Sequence, residues 1–112
     1  YTPRPTVIKG KSTSKIGYMG SVPAKRLNDM LRNNVETYYR DSRFPNLKMC
    51  GKTGTAEVAG KEPHAWFVGY SQRSDLPLAI VVVLENSGST GMGSAIPVAN
   101  TVMQKAVELY VK

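Results

Sequence analysis

The stretch Leu47-Lys-Met-Cys-Gly-Lys-Thr-Gly-Thr-Ala-Glu-Val58 is the first of three strand-like segments that decide the fold of this 112-residue chain. It ends before a hairpin loop at residues 59–63, and the aromatic, β-branched segment His64–Ser71 follows. The third segment, Leu78–Glu85, is almost continuously apolar, which predicts a central strand that is buried on both faces. The connections between the three segments are short and therefore indicate an antiparallel meander.

Helical patterns flank the three strand segments. A helix is predicted over residues 23–39, with Ser21 as its N-terminal cap. A second helix is predicted near the C-terminus, with Ser94 as its cap and Pro97 in its first turn, where a missing N–H costs nothing. The sequence therefore predicts an α+β fold in which two helices flank a three-stranded antiparallel meander.

Each predicted helix has an apolar face at steps of three and four residues, which we expect to pack against the sheet. The face of the first helix consists of Leu27, Met30, Leu31, Val35, Tyr38 and Tyr39. The face of the second is built mainly from small residues, namely Ala95, Val98, Ala99, Val102, Ala106 and Leu109.

The net charge of +7 is concentrated in the first half of the chain. Residues 1–22 are predicted to form an irregular basic lead-in, with a possible edge strand at Thr6-Val7-Ile8, and residues 23–112 to form the folded segment. A basic half of this kind leaves one alternative open, a non-catalytic module that binds an anionic polymer. Nucleic acid is not expected as the partner, because the basic run Lys9–Lys15 has no interleaved aromatic residues for base stacking.

The single cysteine, Cys50, and the single histidine, His64, limit the chemistry of the chain. They exclude an intramolecular disulfide and a Cys/His zinc cluster, so no metal site is expected. We expect Cys50 to be a packed strand residue and His64 to be structural. No apolar run approaches the ~18 residues that a membrane-spanning helix needs.

The motif Gly51-Lys52-Thr53-Gly54-Thr55 invites two interpretations. A phosphate-binding loop requires glycine at position 46, where the sequence has Asn46, and a helix beginning at Lys52, where the sequence is β-prone, so we reject it. In a strand, by contrast, the Thr53 and Thr55 hydroxyls share one face and are both available to a carboxylate. Lys52 supplies a positive charge, and Gly54 leaves room for a ligand backbone to approach closely.

Strict alternation places Lys52 on the opposite face from the two threonines. An edge strand of this kind accepts an extended peptide by strand addition.

Four ordered blocks of sequence together resemble the C-terminal end of the transpeptidase domain of penicillin-binding proteins, most closely the class B type. The blocks are Gly51-Lys-Thr-Gly-Thr-Ala-Glu57, His64-Ala-Trp-Phe-Val-Gly-Tyr70, Pro77-Leu-Ala-Ile-Val-Val-Val-Leu-Glu85 and Ala95-Ile-Pro-Val-Ala99. The resemblance extends over about residues 20 to 111. It implies that the parent protein forms an acyl-serine on D-Ala-D-Ala peptides, cross-links peptidoglycan stem peptides and is trapped by β-lactams.

The resemblance implies that the chain is an incomplete portion of the β-lactamase/transpeptidase-like fold. It also assigns roles within the motif. Such enzymes use the lysine and the threonine together, so we expect strand twist, or a long Lys52 stem that reaches round the sheet edge. It implies that Lys52 is catalytic, that Lys52, Thr53, Gly54 and Thr55 bind substrate, and that the Thr55 backbone N–H forms half of the oxyanion hole. It implies no metal or organic cofactor, and a parent located at the extracytoplasmic face of the bacterial membrane.

Other catalytic parts of such enzymes are not recognisable in this sequence. The string Ser12-Thr-Ser-Lys15 fits the Ser-x-x-Lys nucleophile pattern, but we reject it because no apolar helix follows to hold the serine. No Ser-x-Asn string occurs in the sequence. We therefore expect this chain alone to be inactive, and its apolar third strand to pair with the remainder of the domain or to self-associate.

Overall fold

The computed structural model describes residues 2–3, 8–10 and 15–111. Most of the predicted edge strand at residues 6–8, and most of the rejected nucleophile string at residues 12–15, lie outside these residues. The elements in chain order are β1 (Thr2–Pro3), β2 (Lys15–Ile16), α1 (Ser21–Asn33), a π-helical segment (Asn34–Arg40), a 3-10 turn (Asp41–Arg43), β3 (Met49–Val58), β4 (Lys61–Ser71), β5 (Ala79–Leu84), a π-helical turn (Gly91–Ala95) and α2 (Ile96–Tyr110).

The main sheet has the order β3-β4-β5, and both pairs of neighbouring strands are antiparallel. The predicted α+β class and the three-stranded meander are therefore confirmed. The connection between β3 and β4 is tighter than predicted, because Ala59 and Gly60 alone make the turn and Lys61 already belongs to β4. Gly60 has a φ of 72°, a left-handed conformation that glycine adopts without steric cost. Strands β1 and β2 form a separate antiparallel pair.

A pair of glycines opposite each other makes room for the central aromatic ring of the core. Gly51 of β3 is in register with Gly69 of β4, and the Phe67 ring lies across both. A Cβ atom at Gly69 would lie 2.5 Å from the Cys50 carbonyl oxygen and 2.7 Å from the Phe67 ring. The residues that form this core are Val35, Tyr39, Phe44, Leu47, Met49, Ala65, Phe67, Leu76, Val82, Ala95, Ile96, Ala99 and Met103.

Both predicted helix caps are wrong. Ser21 is the first residue of α1, and Gly20 occupies the N-cap position without a side-chain hydrogen bond. At the second helix, Thr90 caps the π-helical turn by accepting a hydrogen bond from the Gly93 N–H, whereas Ser94 Oγ donates to the Thr90 carbonyl oxygen. Ser21 thus lies one residue past the N-cap of α1. Ser94 lies inside the π-helical turn that precedes α2, and the N-cap of α2 itself is Ala95.

The predicted apolar faces are only partly buried. In the first face Val35 and Tyr39 are buried, whereas Leu27, Met30 and Tyr38 are exposed. Both buried residues lie in the π-helical segment, and α1 itself buries no residue. In α2 the buried residues include Ile96 and Met103 beside the expected Ala99, whereas Val98, Val102 and Leu109 are exposed. A π-helical segment adjoins each helix and shifts the angular positions that an α-helical period assigns to these residues.

The prediction that the third strand is central and buried on both faces is wrong for this chain. Strand β5 lies at the edge of the three-stranded sheet. Val82 packs into the core with 7% of its surface exposed, whereas Val81, which points to the other face, is 62% exposed. Within the described residues, only one face of this apolar strand is therefore covered.

In the part of the chain that the structure describes, no helix is both long enough and apolar enough to cross a membrane.

Candidate functional site

The Lys52–Thr55 motif lies in the middle of β3, on the outer edge of the sheet. Strand β3 pairs with β4 along one edge only, with Lys52 opposite Val68 and Thr55 opposite Ala65. Thr53 is half-buried, and Thr55 and Lys52 are exposed. The motif is thus held by the sheet on one side and accessible on the other.

We call α1 and the π-helical segment that follows it, residues 21–40, the first helical segment. Its side chains bond main-chain groups at the outer edge of β3, where a further strand would otherwise pair. Arg32 Nη1 donates to the Met49 carbonyl oxygen at 2.7 Å, and Asn34 Nδ2 donates to the Gly51 carbonyl oxygen at 3.1 Å. One step further along, the Thr53 N–H donates to the Tyr39 hydroxyl at 3.1 Å. These contacts show that the odd-numbered residues of β3 direct their main-chain groups away from β4.

The same alternation directs the main-chain N–H and C=O of Thr55 toward the outer edge. Among the described residues, no side chain bonds these two groups. The edge is therefore occupied up to Thr53 and accessible from Thr55 onward, which suits a ligand that forms main-chain hydrogen bonds.

The Lys52 ammonium reaches the edge that carries the threonine main-chain groups. Lys52 Nζ donates to the Thr53 carbonyl oxygen at 2.6 Å, although its Cβ belongs to the opposite face of the sheet. The long stem thus brings the charge round the strand, the second of the two routes that the resemblance led us to expect. The cation therefore lies on the edge that carries the Thr53 main-chain groups.

The face of the motif that carries the Thr53 side chain packs against a glycine that has no room for a side chain. A Cβ atom at Gly91 would clash with the Trp66 carbonyl oxygen, and would lie 2.9 Å from both the Gly54 carbonyl oxygen and Thr53 Cβ. The π-helical turn at the start of α2 therefore packs directly on the strand that carries the motif. This contact restricts how far the strand can shift under a ligand.

Residues 14–104 match the family model of the penicillin binding protein transpeptidase domain. The chain belongs to this transpeptidase family. The resemblance noted in the sequence is thereby confirmed. No curated protein sequence matches the chain.

Solved transpeptidase structures share the fold of this chain. The D,D-transpeptidase domain of the peptidoglycan glycosyltransferase from Eggerthella lenta is 27% identical with a TM-score of 0.72, and the match covers 91% of this chain and 24% of that chain. Penicillin-binding protein A from M. tuberculosis, solved as an imipenem acyl-enzyme complex, is 21% identical with a TM-score of 0.72, and the match covers 87% of this chain and 22% of that chain. Pseudomonas aeruginosa PBP2 in complex with WCK 5153 is 23% identical with a TM-score of 0.66, and the match covers 89% of this chain and 23% of that chain.

The chain spans about a quarter of the length of these solved chains. It is therefore a segment of the transpeptidase domain.

The other residues considered as reactive groups have structural contacts in this transpeptidase segment. His64 Nδ1 accepts a hydrogen bond from the Asn86 N–H at 2.9 Å, which ties the start of β4 to the loop after β5. Cys50 is fully buried in β3, and burial raises the pKa of its thiol. Neither residue lies in a cluster of metal-ligating side chains within the described residues.

A cavity of about 860 Å³ lies away from the motif, between the first helical segment and the β4–β5 connection. Its lining includes Arg32 and Arg73, and each of these cations is paired with a carboxylate. Arg32 bonds both oxygens of Asp41, and Arg73 bonds both oxygens of Asp75. These paired charges are not free to recruit an anionic polymer.

Sequence reasoning missed the side chains that bond the outer edge of β3. Tyr39 was assigned to an apolar face, and Arg32 and Asn34 were given no role. Their spacing of two and five residues along the first helical segment does not indicate a common target by itself. A polar side chain that bonds a distant strand is recognisable only once the register of that strand is known.

Proposed function

We propose that this chain supplies the substrate-carboxylate and oxyanion strand of a class B peptidoglycan D,D-transpeptidase. The observation that carries the proposal is the outer edge of β3. There the Lys52 ammonium, the Thr53 hydroxyl and the outward main-chain groups of Thr55 belong to one edge, with which no other strand of the described residues pairs. An extended peptide with a terminal carboxylate fits such an edge by its main chain and by its charge.

In this proposal each motif residue has a separate task. Lys52 attracts the carboxylate and supports proton transfer, and the Thr53 and Thr55 hydroxyls donate hydrogen bonds to that carboxylate. The Thr55 N–H donates to the oxygen that becomes negative when the scissile carbonyl turns tetrahedral, as one of two oxyanion donors. Gly54 keeps the opposite face of the strand, beside Lys52, free of a side chain where a ligand backbone approaches closely.

The covalent step belongs to the parent protein. A serine in the remainder of the domain attacks the penultimate carbonyl of a D-Ala-D-Ala stem peptide, and the C–N bond to the last D-Ala breaks as that residue leaves with a proton. An amine from a second stem peptide then attacks the acyl-serine, forms the new amide and releases the serine. A β-lactam acylates the same serine, but its leaving nitrogen stays attached through the ring.

Two observations support the proposal beyond the motif itself. The family model matches most of the chain, and penicillin-binding protein A, which shares the fold, was solved as acyl-enzyme complexes with imipenem and with a second β-lactam. The parent would act at the extracytoplasmic face of the bacterial membrane, where its peptidoglycan substrate lies. The remainder of the transpeptidase domain would then be the partner of this segment.

A fluorescent penicillin tests the proposal in the full gene product that contains this segment. We expect covalent labelling of the full protein, and Lys52→Ala to slow it about 100-fold, the usual contribution of a positioned proton-transfer group. Lys61→Ala is the matched control, because Lys61 is also exposed and lies at the hairpin end of β4. It should label at the wild-type rate.

Two results would contradict this account. Covalent labelling of the 112-residue chain by itself would show that the nucleophile lies within it. Salt-sensitive binding of an anionic polymer that Lys52→Ala leaves unchanged, without penicillin labelling of the full protein, would support the non-catalytic binding module instead.

A further inference from the structure

Tyr39 makes two contacts with one residue of the motif, and its burial fixes its position. Its side chain is 8% exposed and belongs to the hydrophobic core. Its hydroxyl oxygen lies 3.1 Å from the Thr53 main-chain nitrogen and 3.0 Å from Thr53 Oγ1. The next residue, Arg40, is the last of the π-helical segment and has a φ of 76°. Helical backbone angles therefore end at Tyr39.

We propose that Tyr39 is a positioning residue that orients the Thr53 hydroxyl toward the substrate carboxylate, an inference that rests on the proposed function. The Tyr39 oxygen accepts the Thr53 N–H. Either hydroxyl could be the donor in the side-chain contact, and the proposal assigns the donated hydrogen to Tyr39, with Thr53 Oγ1 as the acceptor. Thr53 Oγ1 then keeps its own hydrogen for an external acceptor. Because both contacts converge on one residue, they also fix the Thr53 side chain in a single rotamer.

Tyr39 also determines where a bound peptide begins to pair with β3. Arg32, Asn34 and Tyr39 bond the outer main-chain groups of Met49, Gly51 and Thr53 in turn. Tyr39 is the last of the three, so a peptide cannot use the Thr53 N–H and must start pairing at Thr55. This register brings the peptide carboxylate next to the Thr53 hydroxyl rather than beyond it.

The structure provides a matched pair of variants. Tyr39→Phe removes the hydroxyl and retains the buried ring, whereas Tyr38→Phe makes the same change at a neighbouring tyrosine that is 68% exposed. Both are made in the full gene product. The acylation rate constant is measured with a penicillin and with its methyl ester, which lacks the free carboxylate.

We expect Tyr39→Phe to slow acylation by the acid roughly tenfold, the usual effect of one lost hydrogen bond. Acylation by the ester should change by less than about twofold, because the ester has no carboxylate for Thr53 to bond. Tyr38→Phe should alter neither rate. A purely structural role for Tyr39 would instead slow the acid and the ester equally, and that result would overturn the proposal.

Hydrogen exchange tests the geometry independently of any activity. In the same full protein, the Thr53 amide should exchange roughly tenfold faster in Tyr39→Phe than in Tyr38→Phe, since its acceptor is lost. An unchanged Thr53 exchange rate would refute the contact itself. Absence of acylation in the wild-type protein refutes the proposed function, whereas normal wild-type acylation that Tyr39→Phe leaves unchanged refutes only the positioning role.

Discussion

Gly51 and Gly54 lie three residues apart on β3, but packing requires glycine at only one of them. A Cβ atom at Gly51 would lie 2.6 Å from the Phe67 ring and 2.7 Å from the Val68 carbonyl oxygen. At Gly54 the nearest atom to an added Cβ would be Trp66 Cβ at 3.5 Å, an ordinary van der Waals contact. Packing therefore explains why residue 51 is glycine. It does not explain why residue 54 is glycine, and the proposed function assigns that position to the approach of a ligand.

This difference predicts opposite outcomes for the same substitution. Gly51→Ala should destabilise the full protein by about 1–3 kcal/mol, because the ring and the backbone must shift. Gly54→Ala should change the free energy of unfolding by no more than about 0.5 kcal/mol, yet slow penicillin labelling at least about tenfold by crowding the bound ligand. Urea denaturation and labelling rates measure the two effects. Normal labelling by a folded Gly54→Ala protein would remove Gly54 from the site.

At the scale of single residues, one feature of the candidate site was expected before the structure was known and another was missed. The reach of Lys52 round the strand was expected from the family resemblance, because strict alternation alone places its side chain on the face opposite the threonines. The contact between Tyr39 and Thr53 does not follow from the sequence. It depends on the turn at Arg40 and on the packing of the π-helical segment, both of which the periodicity of the sequence conceals.

At the scale of elements, α1 is attached to the sheet by polar contacts that converge on one side-chain oxygen. The Tyr70 hydroxyl donates to Asn28 Oδ1 at 2.6 Å, and Gln72 Nε2 donates to the same oxygen at 3.2 Å. Burial, together with the neighbouring Cys50 thiol, raises the pKa of Tyr70 to about 12 from its ordinary value of 10.0. The contact requires the protonated phenol, because a phenolate would face the amide oxygen without a hydrogen between them.

The attachment of α1 should therefore depend on pH in alkaline solution. The raised pKa stabilises the fold fully below pH 10, and this contribution is lost as the pH rises toward 12 and beyond. Its size is at most about 2.8 kcal/mol, from ~1.4 kcal/mol per pKa unit for the rise from 10.0 to about 12. Denaturation at pH 8 and pH 11.5 measures it. Tyr70→Phe should reduce the loss between these pH values, and Tyr110→Phe, at an exposed tyrosine, should leave it as in the wild type.

The sequence predicts the elements themselves better than their ends and their environment. The meander was predictable because apolar and β-branched runs such as His64–Ser71 are separated by short polar turns. The helix caps were predicted wrongly, at Ser21 and Ser94. The observed cap Gly20 has no side chain that could signal a helix start, and the observed cap Thr90 precedes a π-helical turn that hydrophobic periodicity does not detect. Burial of β5 was overestimated, because composition reports that a strand is apolar and not which surfaces of the chain cover it.

At the scale of the whole molecule, part of one face of the sheet is apolar and exposed among the described residues. Val68, Val81 and Val83 lie next to one another across β4 and β5 on the face opposite Phe67, and all three are exposed. Helix α1 covers the same face only near Tyr70, whose hydroxyl bonds Asn28. Within the described residues no strand pairs with the outer edge of β5, which adjoins the exposed patch. Under the proposed function the remainder of the domain covers both surfaces, and the apolar composition of β5 then fits a strand that is central only in the complete domain.

The isolated chain should therefore self-associate through this face and edge. An apolar edge strand without charges or proline pairs readily with a second copy, and we expect a dimer at high protein concentration. Val81→Lys should shift the equilibrium toward monomer at least roughly tenfold, because it places a charge at the centre of the interface. Val102→Lys is the matched control, since Val102 on α2 is similarly exposed at 51%, and it should leave the dimer intact. Light scattering and sedimentation measure the molecular mass, and a wild-type chain that stays monomeric at high concentration would rule out this association.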